Sequence, residues 1–142
     1  MENHPANPIY TSEFVIPASA VDQNGHVNNV MYVQWMQDIA VRHYDFIGGT
    51  APTQAAGATW VVREHKIEYL QPAFAGEQIV AQTWVANLRR VRSLRRYQFI
   101  RPSDGKVLVR GETDWVFVDA KTGQLRRIPE QVAKIFTILP DG

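Results

Sequence analysis

The pattern of hydrophobic and polar positions predicts one long helix near the start of the chain. Between residues 30 and 47, hydrophobic side chains recur every three or four positions, which is the spacing of one helix face. Asn28 or Asn29 can cap the start of this helix, and Gly48 and Gly49 can end it. Aromatic residues extend its hydrophobic surface, so we expect other structure to enclose most of the helix.

Most of the remaining chain has the alternation or the β-branched and aromatic composition of strands. Turn-forming residues separate these segments, as at residues 102–105. The pattern predicts five strands, over residues 10–16, 59–70, 78–88, 94–100 and 107–118. A short terminal helix follows, with Pro129 at its first position. We expect residues 1–9 to lie loosely on the surface and residues 48–57 to form a loop.

The order of these elements is strand, long helix, four strands and short helix, which predicts an α+β fold. Four consecutive strands joined by short turns form an antiparallel sheet, at whose edge the first strand can pair or into which it can insert. The helix must be buried against one face of that sheet, and a highly twisted sheet curling around it satisfies the pattern. Because there is no internal repeat or linker, residues 1–142 are predicted to form a single domain.

Composition excludes several classes of function. The 142 residues are 45% hydrophobic and 20% charged, which is the range of an ordinary globular core, and the formal charge is only +1. A near-neutral chain argues against a nucleic-acid partner. The absence of cysteine removes disulfides, thiol nucleophiles and thiolate metal sites. Any chemistry is therefore left to carboxylates, imidazoles and hydroxyls.

Two further absences shape the expected setting of the protein. No stretch of about 18 apolar residues predicts a membrane span, and the first residues lack the features of a secretory signal. We therefore expect a cytoplasmic protein with no membrane partner. His4, His43 and His65 are scattered without metal-ligand spacing, so we expect no metal.

Candidate chemistry is densest in residues 22–32, at the start of the predicted helix. A carboxylate, an amide and an imidazole follow each other at alternate positions, as Asp22, Asn24 and His26. A helix start presents free N–H groups that can polarise a carbonyl oxygen, and a carboxylate beside it could attack a thioester or activate water. The same residues are also common turn and cap formers, so the residues alone leave both interpretations open.

The run Asp-x-Asn-x-His-Val-Asn-Asn-x-x-Tyr at residues 22–32, with a long helix after it, resembles the hot-dog fold thioesterases. It is most similar to the acyl-ACP and acyl-CoA branch, with kinship to 4-hydroxybenzoyl-CoA thioesterase. The resemblance covers nearly the whole chain and extends to residues 67–77 and 107–129. It implies a hot-dog fold and hydrolysis of an acyl-CoA or acyl-ACP thioester to a free acid and a thiol. It further implies no cofactor, and a homodimer or a dimer of dimers.

The resemblance also implies roles for individual residues. Asp22 matches the catalytic carboxylate, as nucleophile or general base, and Asn24 and His26 match groups that orient it, the water or the leaving thiol. Asn29 matches the helix-start position whose backbone N–H polarises the thioester carbonyl, and the adjacent Asn28 is a candidate for substrate binding. Plant acyl-ACP thioesterases carry a Glu-Cys pair after their Leu-Glu-Tyr strand. Pro72 and Ala73 stand at the nearest positions here, which favours a mechanism centred on Asp22.

Three alternatives stay open. A non-catalytic acyl-binding module could use the same fold. Hot-dog hydratases resemble an Asp-x-Asn-Pro-x-His pattern, but here Asp22 and His26 are four positions apart and Gly25 replaces the proline, which disfavours hydration. In some hot-dog enzymes a carboxylate from the partner subunit's helix acts instead, and Asp38 is the candidate for that role.

Two features outside the motif are candidates for substrate binding. Five arginines cluster around a predicted hairpin, at positions 89, 90, 92, 95 and 96, and they repel one another unless water or an anion compensates. Arg90 and Arg92 are the candidates to contact coenzyme A phosphates, because guanidinium groups bind phosphate bidentately. The alternative is a solvated turn. Trp60 could line an acyl pocket or simply pack in the core.

Overall fold

The structure, a computed structural model, describes residues 2–140. Its strands are β1 (Tyr10–Val15), β2 (Ala58–Tyr69), β3 (Gln78–Leu88), β4 (Arg92–Arg101) and β5 (Lys106–Asp119). Its helices are α1 (Asn29–Phe46), α2 (Thr50–Ala55) and α3 (Glu130–Ala133), with a 3₁₀ turn at Ala18–Ala20. The predicted α+β class, the five strands, the long helix and the short terminal helix are confirmed. Pro129, predicted at the first position of the terminal helix, is instead its extended N-cap residue, and α3 begins at Glu130.

Helix α2 lies where we expected a loop. Its composition of Thr, Ala and Pro is typical of loops, and six residues are too few to show helical periodicity. Pro52 is tolerated because the N–H groups of a first helical turn have no partner within the helix.

The five strands form one antiparallel sheet in the order β1-β3-β4-β5-β2. Short connections join β3, β4 and β5 as predicted, but the expectation that β2 and β3 are also neighbours is wrong. Strand β1 occupies the free edge of β3, with Tyr10 opposite Thr83, so β2 pairs with β5 instead. Residues 70–77 therefore cross from one side of the sheet to the other, and β2 is an edge strand.

Helix α1 packs on one face of this sheet and forms the main core with it. The helix contributes the buried side chains of Tyr32, Met36, Ile39 and Ala40. Alternate residues of the strands face them, as the two-residue period of a strand requires; these include Ile79, Ala81, Tyr97, Phe99 and Val109.

The helix is enclosed less completely than its hydrophobic surface predicts. Val30 and Val41 are 69% and 63% exposed, and Phe46 is also exposed. A single chain therefore covers one side of α1 and leaves apolar residues on the other side open to solvent.

The first residues are attached to the sheet rather than loose. The Asn3 side chain donates a hydrogen bond to the Thr11 carbonyl and accepts one from the Thr11 N–H, both at 2.7 Å. This exchange imitates the pairing of a neighbouring strand on the outer edge of β1, so the expected loose attachment of residues 1–9 does not hold at Asn3.

The turn after α1 depends on a close contact between Gly49 and Tyr44. A Cβ atom at Gly49 would overlap ring atoms of Tyr44. The Tyr44 hydroxyl is itself hydrogen-bonded to Thr53 in α2, at 2.6 Å. Because glycine has no Cβ, Gly49 leaves room for the Tyr44 ring, which connects α1 to α2.

We expect Gly49→Ala to lower the free energy of unfolding by about 1–3 kcal/mol, because the methyl group must displace a packed ring. Denaturant unfolding measures this change. The matched comparison is the same substitution in a Tyr44→Ala background, where the ring is gone and the cost should largely disappear. An equal cost in both backgrounds would contradict the packing argument.

Candidate active site

Asp22 is the first residue of a tight turn, whose Gly25 N–H donates to the Asp22 carbonyl at 2.9 Å. Its Oδ1 accepts hydrogen bonds from the backbone N–H groups of Asn24 (2.9 Å) and His26 (3.2 Å). The backbone closes the turn, since the Asp22 N–H donates to the His26 carbonyl at 2.8 Å. Gly25 has φ +80, a conformation that other residues adopt only with strain. Asn24 and His26 therefore hold the carboxylate through their backbone rather than their side chains.

The crossover at residues 70–77 packs against this turn and forms hydrogen bonds with it. The Val27 N–H donates to the Ala73 carbonyl at 2.9 Å, and the His26 ring meets Phe74 edge-on at 5.1 Å. Glu77 fixes the crossover in turn, because its carboxylate accepts the Phe74 N–H at 2.7 Å. The unexpected path between β2 and β3 thus provides the base on which the candidate loop rests.

The start of α1 follows directly. Asn28 is its cap, and the side-chain oxygen accepts the Val30 N–H at 3.1 Å. The N–H of Asn29, the first helical residue, has no acceptor among residues 2–140. The Asn29 carbonyl accepts a 3.4 Å bond from the Tyr69 hydroxyl at the end of β2.

The Asp22 loop can supply both an acceptor and a donor to a ligand. Asp22, Asn24, His26, Asn28 and Asn29 are all exposed. Oδ2 of Asp22 accepts no hydrogen bond from the described residues. A free carboxylate oxygen and a free helix-start N–H therefore face solvent in the same loop, an arrangement that can activate a nucleophile and stabilise an oxyanion.

Trp60 lies in a different place, at the wall of a cavity of about 240 Å³. The second half of α1, helix α2 and the start of β2 form much of this cavity. Its walls include Tyr44, Thr53, Trp60, Arg95, Trp115 and Phe136. The Trp60 indole N–H donates to the Tyr44 hydroxyl at 3.1 Å, which fixes the ring. Trp60 is thus partly exposed to a cavity rather than fully packed in the core.

The arginine cluster does not form the mutually repelling group that its spacing predicted. Arg92 and Arg96 lie on the outer face of β4, where Asp114 (3.7 Å) and Glu112 (2.8 Å) compensate their charges. Arg95 points to the opposite face, towards α1, and is buried. Arg90 is exposed in the turn between β3 and β4. Carboxylates of β5, rather than a bound anion, therefore compensate the charges of Arg92 and Arg96.

The candidate residues fall into two groups at opposite ends of the chain's own helix. Trp60 pairs with Phe117, and Arg92 pairs with the adjacent Val116, so Trp60, Arg90 and Arg92 lie at one end of the sheet. The Asp22 loop lies at the other end. From Asn29 to Tyr44, α1 spans about 22 Å at 1.5 Å per residue. Within one chain, the structure does not bring the carboxylate and the cavity together.

Arg95 is the residue of the cavity that sequence reasoning missed as a site residue. Its Nη1 donates to His43 Nδ1 at 2.8 Å and to the Thr83 hydroxyl at 3.1 Å. Burial, together with the Arg95 charge, lowers the pKa of His43 to about 3. The imidazole is therefore neutral at ordinary pH. The available signal was strand parity, because Arg95 shares its face with the core residues Tyr97 and Phe99.

We expect the neutral state of His43 to appear as a pH dependence of stability. Its pKa is about 3 when folded and about 6.5 when unfolded, so the unfolded state binds more protons between these values. The free energy of unfolding should therefore fall as pH is lowered from about 6.5 towards 3.

The control is His43→Gln, which keeps an acceptor for Arg95 but does not titrate. Its pH slope in denaturant titrations should be shallower by up to about 1.4 kcal/mol per pH unit. Identical slopes for both proteins would contradict a buried neutral imidazole.

Two classes of site are not formed by the described residues. Within residues 2–140, no three His, Asp or Glu side chains are grouped so that they could hold a metal ion. None of the described helices combines the length and the apolar character that a membrane crossing requires.

Comparison with models of protein families identifies the family of the chain. The profile of the thioesterase-like superfamily matches residues 16–136, which include the Asp22 loop, α1, strands β2 to β5 and α3. The chain belongs to the thioesterase-like superfamily. The family resemblance of residues 22–32 is therefore confirmed.

Two curated relatives of this thioesterase-like chain are longer proteins. An L-carnitine dehydrogenase/betainyl-CoA thioesterase of Ruegeria pomeroyi is 29% identical over 115 residues, which are 81% of this chain and 23% of the relative. A chloroplastic acyl-[acyl-carrier-protein] hydrolase of Cuphea viscosissima is 24% identical over 120 residues, 80% of this chain and 29% of the relative. The chain thus spans less than a third of either relative.

A solved structure supports the fold of this thioesterase-like chain. The 12:0-ACP thioesterase from Umbellularia californica superposes with a TM-score of 0.86 at 17% identity, covering 95% of this chain and 53% of that one. With the sheet and long helix described above, this match confirms the predicted hot-dog fold.

Proposed function

We propose that the protein hydrolyses an acyl thioester of coenzyme A or acyl carrier protein, releasing a free acid and a thiol. The observation that carries the proposal is that one exposed segment, the Asp22 loop and the start of α1, contains both a carboxylate oxygen of Asp22 and an N–H of Asn29 that have no hydrogen-bond partner among the described residues. Membership of the superfamily and the thioesterase and hydrolase names of the relatives agree with it. The cytoplasm is the proposed compartment.

The proposed mechanism uses Asp22 as general base or as nucleophile. As a base, it takes a proton from water while the hydroxide adds to the thioester carbonyl carbon; the C–S bond then breaks and the thiolate accepts a proton. As a nucleophile, it adds to the same carbon, the C–S bond breaks and the thiolate leaves and takes up a proton; water then hydrolyses the resulting anhydride to the free acid and the Asp22 carboxylate. In either case the Asn29 N–H donates to the developing oxyanion. Asn24 and His26 hold Asp22, and Asn28 orders the helix start.

The turn itself argues against the hydratase alternative. The hydratase pattern has proline where this chain has Gly25, and proline fixes φ near −65°. Gly25 has φ +80, so this turn cannot accommodate that proline. A thioester hydrolase is therefore the better interpretation of the same loop.

We expect Asp22→Asn to keep the fold and to lower kcat for thioester hydrolysis by about 100-fold or more, since an amide can neither attack nor take a proton. The amide oxygen can still accept the N–H groups of Asn24 and His26. Thiol release is measured over several acyl-CoA and acyl-ACP substrates.

The matched control is Asp38→Asn, which alters an exposed carboxylate of α1 that contacts Gln34 at 2.9 Å. It should leave turnover unchanged. Loss of turnover in the Asp38 variant rather than the Asp22 variant would move the catalytic role to Asp38. A wild-type protein that binds acyl thioesters but releases no thiol would favour the non-catalytic module.

The proposed site is completed by a second copy of the chain. Strand β2 is 12 residues long and pairs on one side only, with β5. If two β2 strands pair antiparallel around a two-fold axis, the Tyr69 end of one lies beside the Ala58 end of the other. Asn29 contacts Tyr69, and Trp60 is near Ala58. The pairing therefore brings each Asp22 loop towards the partner's cavity.

The same pairing gives the arginines of the turn a role. Arg90 and Arg92 lie at the cavity end of the sheet, Arg90 in the turn and Arg92 on the outer face, so in the proposed homodimer, or dimer of dimers, they lie outside the cavity, on the carrier side of a bound thioester. There they can contact the phosphates of the carrier. Arg92 would then form ion pairs with both Asp114 and a phosphate.

We expect subunit complementation to reveal this shared site. Asp22→Asn and Trp60→Ala are each deficient alone, the second through loss of acyl contacts. Refolded together in equal amounts, they should recover roughly a quarter of wild-type activity, because half the dimers are mixed and each has one intact site.

Each variant refolded alone is the control, and light scattering reports the oligomer. A mixture no more active than the mean of the two variants would contradict the shared site, as would a fully active monomer.

A further inference from the structure

The wall of the cavity contains a buried positive charge with neutral partners. Arg95 is 4% exposed. The groups that accept its hydrogen bonds, His43 Nδ1 and the Thr83 hydroxyl, are uncharged. Among the described residues Arg95 forms no ion pair. The guanidinium therefore lies in the protein with no anion beside it.

Such an arrangement is unfavourable unless something else compensates it. Burial of an unpaired charge is costly, and an arginine side chain cannot escape the cost by losing its proton. Nη1 makes both hydrogen bonds of Arg95, so Nε and Nη2 have no acceptor among the described residues. Two neighbouring N–H groups are then left in the fork geometry that binds a carboxylate bidentately.

The rest of the cavity indicates what carries that carboxylate. Tyr44, Trp60, Trp115 and Phe136 present aromatic surface around it. An apolar chain or ring fits these walls, and an anionic end fits Arg95. A positively charged acyl group would instead face the guanidinium.

We propose that Arg95 is a specificity-determining residue that binds a carboxylate at the far end of the acyl group, so that the protein prefers carboxyl-bearing acyl thioesters over neutral ones. The assignment of the substrate as a thioester rests on the proposed function, but the contact between Arg95 and a carboxylate does not. The acyl group enters the cavity with its free end first, since the reacting carbonyl must stay near the partner's Asp22 loop outside. The phosphates of the carrier then remain at the mouth.

The first test compares two acyl groups of the same shape. Glutaryl-CoA ends in a carboxylate, and 5-methylhexanoyl-CoA replaces that carboxylate with an isopropyl group. Wild-type kcat/KM should be about tenfold or more higher for glutaryl-CoA, because a charge-assisted bidentate contact is lost with the neutral group. Equal values, or a preference for the neutral substrate, would overturn the proposal.

Variants assign the preference to Arg95. Arg95→Met should lower kcat/KM for glutaryl-CoA by about tenfold or more while changing it little for 5-methylhexanoyl-CoA. The control is Arg110→Met, which removes an exposed arginine of β5 and should alter neither. If Arg95→Met does not fold, Arg95→Lys keeps the charge without the fork and should retain only part of the preference. A full preference in an Arg95 variant that folds would overturn the assignment.

A second test separates this proposal from the proposed function. If no thioester is hydrolysed, the proposed function fails, but binding of free benzoate and its neutral counterpart benzamide still tests Arg95. Trp60 and Trp115 line the cavity, so tryptophan fluorescence reports occupancy. Benzoate should bind wild type about tenfold or more tighter than benzamide, and Arg95→Met should abolish the difference. Equal binding of the two by wild type would overturn the proposal.

Discussion

The packing of α1 on one face of the sheet is the constraint on which the rest of the molecule depends. The fully buried Met36 and Ile39 hold the helix along its middle, so its two ends project to opposite ends of the sheet. The first end presents the Asn29 N–H group, which has no acceptor among the described residues, in the segment that follows Asp22. The second end, with α2 folded against it through Tyr44 and Thr53, forms the cavity. One rigid element thus fixes the distance between the Asp22 loop and the cavity.

That distance is too long for a short acyl group to reach both the Asp22 loop and the cavity of the same chain. The incomplete burial of α1 is consistent with a second chain that completes the site. Val30 and Val41 are exposed on the helix, and β2 has a free edge. A second chain paired at β2 would cover backbone groups at that edge and bring the opposite helix start close to the cavity. One pairing of β2 strands would therefore both cover the open edge of the sheet and bring an Asp22 loop close to a cavity.

The sequence predicted those parts of the fold that depend on local patterning. The strands, the long helix and the turn at Asp22 follow from periodicity, caps and turn formers. The position of β2 did not follow, because the competition between β1 and β2 for the edge of β3 is a long-range choice with no local signal. Helix α2 was hidden by its length. Arg95 was grouped with its exposed neighbours because arginine is rarely buried, although its parity with Tyr97 and Phe99 placed it on the core face.

His43 explains how a buried arginine can remain available to a ligand. A carboxylate in its place would pair with Arg95 and neutralise it, whereas a neutral imidazole accepts a hydrogen bond and leaves the charge in place. Tyr10 stacks on the imidazole, with ring centroids 5.1 Å apart, and holds it against the guanidinium. Burial keeps the pKa of His43 at about 3, so the imidazole does not add a second positive charge. The network therefore orients Arg95 through Nη1 while its remaining N–H groups stay free for an anion in the cavity.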